Sequence, residues 1–154
     1  MVSRLATADD IEEVVRLAGL MFASMGLEAT DPMWLEEARA VAAGRLGTDL
    51  AAFVVDDPHV PGHLVSSAAC SIVRRLPTPR NPTGLVGHVQ WVATDHAHRR
   101  KGHGRAVMEG VLGWCSSRGL RIVELNATPE GEPLYRSLGF GDPSNPHLVA
   151  VLTS

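Results

Sequence analysis

Apolar residues recur along this chain at helical spacing in some stretches and in alternating or continuous β-branched runs in others. Ile11, Val14, Val15, Leu17, Ala18 and Phe22 share one helical face, with Thr7 or Asp9 as a cap and Gly26 as a stop. Asp31-Pro32 opens a second predicted helix through Trp34, Leu35, Ala38, Val41 and Ala42, with the proline in its first turn. A short strand is predicted at 3–6, and three longer ones at 50–55, 63–74 and 85–94. Between the last two, residues 76–84 hold three prolines and form a surface loop. Ala106, Val107, Val111, Leu112 and Cys115 make the buried stripe of a third helix that runs to about Ser117 and stops at Gly119. A strand at 120–125, a short helix from Pro129 through Leu134, Tyr135 and Leu138, and a last strand at 148–152 complete the pattern.

Antiparallel strands followed by a strand–helix–strand unit predict an α+β (mixed α/β) fold with helices on both faces of one sheet. The length of 154 residues suits a single domain over 1–154, and no repeat or linker divides it. A formal charge of −3 argues against a nucleic-acid partner. Cys70 and Cys115 fall in a predicted strand and a predicted helix and read as buried free thiols of a reducing compartment. No apolar run reaches membrane-spanning length and the N-terminus lacks a signal pattern, so the expected address is cytoplasmic, with no membrane partner.

Chemistry concentrates between the predicted strand at 85–94 and the third helix. Residues 99–106 read Arg-Arg-Lys-Gly-His-Gly-Arg-Ala, and 98–105 contain no acid. Glycines let main-chain N–H groups turn toward a ligand, and the helix start adds unpaired N–H groups and a positive dipole end. The cations Arg99, Arg100, Lys101 and Arg105 suit a ligand with several phosphates. A P-loop is excluded because Lys101 precedes Gly102, and a dinucleotide fingerprint because Val107 stands where its third glycine belongs.

Arg99-x-x-Gly102-x-Gly104, set between a strand and a helix, resembles the acyl-coenzyme A pyrophosphate loop of the GNAT superfamily of N-acetyltransferases. Leu134-Tyr135-x-x-Leu138-Gly139-Phe140 resembles that family's late helix, and the two motifs stand in the family's order. The resemblance implies a mostly antiparallel, twisted sheet of six to seven strands flanked by about four helices, splayed at the strand ending near Thr94. It implies transfer of an acetyl group from acetyl-CoA, as co-substrate, to a primary amine of a small molecule or peptide by direct attack in a ternary complex. By the same resemblance Val92, Ala93 and Thr94 bind the pantetheine arm, with the Val92 N–H polarising the thioester carbonyl. Arg99, Arg100, Lys101, Gly102, His103, Gly104 and Arg105 hold the pyrophosphate, Asn126 contacts the coenzyme, and Tyr135 protonates the departing thiolate.

Some relatives carry a basic glutamate eleven residues before the loop's first motif position, and here that position is His88. The strand has no carboxylate, so His88, with a reference pKa of about 6.5, or a water chain ending on His88 or Asp95, is the candidate base. His96, His98 and His103 lack carboxylate or thiol companions at metal spacing, and no metal is expected. Trp91 and Trp114 read as core or sheet-face residues. Family members are often dimers, so a homodimer is among the expectations. An inactive acyl-coenzyme A-binding sensor stays open as the alternative, and a nucleotide-binding regulatory domain rests on the basic turn alone. The acceptor amine has no legible signature.

Overall fold

The structure, a computed structural model, describes residues 2–153. One sheet runs in the order β1 (Arg4–Leu5), β2 (Leu50–Asp56), β3 (Leu64–Arg74), β4 (Leu85–Thr94) and β5 (Val123–Glu124). The first four are antiparallel neighbours, and β5 lies parallel to β4, as a crossover through a helix requires. Helices α1 (Ile11–Ser24) and α2 (Pro32–Arg45) precede β2, α3 (His103–Ser117) links β4 to β5, and α4 (Glu132–Ser137) comes after β5.

The two sheet faces have separate cores. Val14 and Leu17 of α1 pack on Ala52, Val54, Ala69 and Ala93, with Trp91 alongside. Val107, Met108, Val111 and Cys115 of α3 pack on Val55, Val65, Cys70 and Val89, and Tyr135 of α4 joins them. Cys70 and Cys115 are buried free thiols whose Sγ atoms stand 3.6 Å apart. The α1 stripe and the capping turn match the sequence pattern: the Thr7 N–H donates to Asp10 at 2.8 Å, and a single 3₁₀ turn, Ala8–Asp10, leads into the helix.

Beyond shifts of a residue at the ends of β1, β2 and β3, the fold differs from expectation where strands and helix starts need partners. The sheet has five strands among the described residues, not six to seven. The strand expected at 120–125 reduces to Val123–Glu124, since β4 pairs with it only through Gly87 and His88. Residues 148–152 form no strand; Leu148, Val149, Val151 and Leu152 are 75–91% exposed and no neighbour offers them a ladder. Helix α4 begins at Glu132 rather than Pro129, because the Thr128 carbonyl first accepts from the Gly131 and Glu132 N–H groups in a tight turn.

Gly84 closes the loop between β3 and β4. It sits at φ +72°, accepts a 2.7 Å bond from the Arg75 N–H, and a Cβ there would overlap the Arg75 carbonyl oxygen. Gly84→Ala is expected to destabilise the fold by about 1–3 kcal/mol in chemical denaturation, through strain and overlap together. An unchanged midpoint would contradict this packing.

Arg4 ties the first strand to both flanks, bonding Asp10 at 2.8 and 2.9 Å and Asp56 at 2.7 and 2.9 Å. Hydrogen bonds from Arg4, opposed by partial burial, hold both carboxyls below the usual aspartate range. Their stabilisation is therefore complete above the unfolded value of about 3.9 and is lost as pH falls through the folded values. The Tm difference between wild type and Arg4→Ala should be present near neutral pH and shrink as the pH falls below the unfolded value of about 3.9. A constant difference across that range would refute the linkage.

Candidate active site

Strand β4 pairs with β3 to its end, through Ser66↔Thr94, but with β5 only at Gly87↔Val123 and His88↔Glu124. From Val89 to Thr94 its other edge has no strand neighbour among the described residues, so the sheet splays where the resemblance implies. Between Ala69↔Gln90 and Ser67↔Ala93, β4 carries one residue more than β3, which makes a β-bulge opposite Ala68. Trp91 sits in this bulge at φ +57°, a strained conformation for a bulky side chain. The bulge sends Gln90 and Trp91 toward the α1–α2 face and returns Val92 to the α3 face.

Beyond Thr94 the Asp95 carboxylate caps the 3₁₀ turn His96–His98, and the chain turns through Arg100 at φ +64° and Gly102 at φ +85° into α3. Among the described residues, no main-chain amide from Arg100 to Arg105 has a main-chain acceptor. Six successive N–H groups at a helix start form the anion cradle that the glycines allow. A Cβ on Gly102 would meet open space, so φ rather than crowding demands glycine there, whereas a Cβ on Gly104 would stand 3.3 Å from Leu134.

The splay and the cradle share one cleft of about 850 Å³. Val92, Ala93 and Thr94 line it from β4, and Arg99, Arg100, Gly102, His103, Gly104 and Arg105 from the turn. Tyr135 lines its far side. Lys101 contributes its amide to the cradle but lies outside the lining, and Asn126 is exposed beyond β5, also outside it. Met21, Ser24, Met25 and His98 also line the cleft, together with Thr128 and Glu130, which sequence reasoning did not single out as site residues. Glu130 faces Arg99 at 3.7 Å across the mouth, a pairing with no local sequence signal.

Tyr135 is 8% exposed, its ring edge-on to Phe140 with centroids 6.1 Å apart. Burial raises its pKa, so the phenol is a neutral proton donor at physiological pH. Gly131 makes room for it: a Cβ there would stand 2.8 Å from Tyr135 Cε2. Burial, then the nearby His98 and Lys101, lower the pKa of His103, whose Nδ1 is buried without a partner. That unsatisfied ring nitrogen beside the cradle fits a site built to take an anion.

His88 lies elsewhere. It is directly across from Ser71, on the α1–α2 face, and does not line the cleft. Its Nδ1 stands 3.3 Å from Glu124 Oε1 without an aligned hydrogen bond, and Glu124 is held by Arg75. Asp95 follows Thr94 in the chain but does not line the cleft either; its carboxyl pKa is lowered despite burial by the Ala97 amide and by His63 and Arg16. A second cavity of about 180 Å³ lies on the α1–α2 face, lined by apolar side chains together with Thr7 and Arg45, and by Ser71, Gln90 and Trp91 at the sheet.

A splayed β4–β5 pair, a bulge, an amide cradle and a buried tyrosine thus stand around one cleft, in a chain whose sequence and fold match known acetyltransferases. The model of the Acetyltransferase (GNAT) family matches residues 16–140, and the chain belongs to this family. It is 33% identical over 95 residues, 62% of its length, to the probable glucosamine 6-phosphate N-acetyltransferase 2 of Oryza sativa subsp. japonica. It is 32% identical over 103 residues, 67% of its length, to glucosamine 6-phosphate N-acetyltransferase 1 of the same organism. The matches span 56% and 60% of those two curated relatives, less than two thirds of either. The fold also superposes, with a TM-score of 0.85 at 20% identity, on a predicted acetyltransferase of Clostridium acetobutylicum solved with acetyl-CoA, covering 96% of this chain and 94% of that one.

The cradle can be tested by closing it. Gly104→Val places branched carbons against Leu134 and over the amides; it should lower the ligand-free Tm through overpacking and abolish the further rise in Tm expected for wild type with coenzyme A. A retained rise in this variant would place the anion elsewhere.

Proposed function

We propose that this protein moves an acetyl group from acetyl-CoA to a primary amine of a small molecule or peptide, by direct attack in a ternary complex. The observation that carries the reading is the meeting of the unpaired amides of the turn into α3, the unpaired end of β4 and the Tyr135 phenol at one cleft. Main-chain N–H groups from Arg100 to Arg105 hold the pyrophosphate, with Arg99, Arg100 and Arg105 adding charge. The free edge of β4 at Val92, Ala93 and Thr94 binds the pantetheine amides as a neighbouring strand would. The Val92 N–H polarises the thioester carbonyl, and the amine attacks that carbon. As the C–S bond breaks, Tyr135 gives its proton to the departing sulfur.

The proton leaving the amine needs an acceptor. His88 loses support as the direct base, because it stands across the sheet from Tyr135 and outside the cleft. A water relay from the amine, ending on His88 or Asp95, carries the proton instead; neither side chain lines the cleft, and Asp95 directly follows Thr94 and stays ionised. The names of the two relatives make an amino sugar phosphate the first acceptor to try.

The test is thiol release from acetyl-CoA with a panel of amines that includes glucosamine 6-phosphate. Amine-dependent release is expected, and Tyr135→Phe should lower kcat by about 10²-fold or more with coenzyme affinity little changed. Coenzyme binding without release across the panel would favour the acyl-coenzyme A sensor. A Tyr135→Phe enzyme of full rate would remove the tyrosine from the chemistry.

A further inference from the structure

Two sulfur atoms meet in the α3 core, and the chemistry of the cleft uses neither. Cys70 of β3 and Cys115 of α3 are the two cysteines of the chain, each 1% exposed, with their Sγ atoms 3.6 Å apart. They stand 45 positions apart in sequence, so the fold alone brings them together. Neither lines the cleft.

No side chain stands between the sulfurs. Gly87 of β4 lies against both: a Cβ there would meet Cys115 Sγ at 3.1 Å and Cys70 Sγ at 3.3 Å. The bare backbone leaves the pair a shared hollow that any larger residue would crowd. Disulfide sulfurs are about 2.0 Å apart. Joining these two needs a closure of about 1.6 Å, divided between two side chains that turn about χ1.

The surroundings also favour reaction. A thiolate is the nucleophile in thiol oxidation, and an apolar site alone suppresses it. Here the Cys70 thiol donates a hydrogen bond to Cys115, which lowers the Cys115 pKa against the opposing effect of burial. The same bond, together with burial, raises Cys70 and keeps it the protonated partner. Cys115 lies in the last turn of α3, which ends at Ser117. Helix ends open locally more readily than their middles, and that opening admits an oxidant of about the size of water.

We propose that Cys70 and Cys115 form an oxidative modification site, in which a peroxide converts the pair to a disulfide that fastens α3 to β3 and a thiol reductant reopens it. The Cys115 thiolate attacks one oxygen of hydrogen peroxide, the O–O bond breaks, and the other oxygen takes a proton and leaves as water. Cys115 is then a sulfenic acid. The Cys70 sulfur attacks that sulfur, its thiol proton passes to the departing hydroxyl, and a second water leaves. The two thiols give up two electrons and two protons, and the peroxide becomes two waters. Where small thiols keep disulfides reduced, the pair rests open and closes only under oxidant. The link ties α3, whose first turn is the amide cradle, to the strand that pairs with β4 along its length. It also restricts the unfolded chain, so oxidation stabilises the fold.

The test exposes the intact, fully reduced protein to hydrogen peroxide. Peptide mapping should find the segments bearing Cys70 and Cys115 joined within one chain, lighter by two hydrogens than their sum. Tm should rise by about 5 °C or more, and a dithiol reductant should reverse both changes. Cys70→Ala and Cys115→Ala should each abolish the link and the rise, and the wild-type map decides the matter even if an alanine variant fails to fold. A wild type that forms no link, that links one chain to another, or that only adds oxygen irreversibly to either cysteine overturns the proposal. So does a peroxide-induced rise in Tm that survives in a folded single-alanine variant.

Discussion

Strand β4 is held by β3 along its whole length and by β5 for two residues only, and this unequal pairing organises the molecule. A strand with one free edge inside a sheet exposes N–H and C=O groups where a folded chain normally has none. The extra residue at the bulge, with Trp91 at positive φ, bends β4 away and returns Val92 to the α3 side. The same strand then delivers the chain into the turn that starts α3. Ligand-binding edge and anion cradle are therefore consecutive parts of one segment, and the α3 core of Val107, Met108 and Val111 fixes their relation.

Much of this is legible in the residues. The helical stripe of α1, the prolines of the β3–β4 loop and the glycines around Lys101 each state a local requirement that the structure meets. The cradle is legible because its parts are contiguous: φ > 0 at Gly102, a helix start, and cations on both sides. The features that stay hidden depend on pairing. Residues 120–125 carry a strand pattern, but β4 accepts only two of them. The positive φ of Trp91 has no signal, because nothing in Gln-Trp-Val announces a bulge. His88 is reached by counting back from Arg99, and counting along a bulged strand does not tell which side of the sheet meets the cleft.

The far wall of the cleft is built differently from the near one. β4 and the turn rest on ladders and a fifteen-residue helix, whereas Thr128–Gly131 hang between a two-residue strand and a six-residue helix. Tyr135 is nevertheless well fixed, because its ring is buried against Phe140 and its place depends on the bare Gly131. The chain invests its rigid elements in the groups that would hold the donor and position the phenol.

The central claim is that β4's free edge and the amide cradle bind one ligand together. The most direct measurement is an amide-resolved ¹H–¹⁵N titration with acetyl-CoA. The amides of Val92–Thr94 and Arg100–Arg105 should shift in concert, with a single affinity. Shifts confined to the α1–α2 cavity around Ser71 and Gln90, or two groups titrating independently, would contradict it.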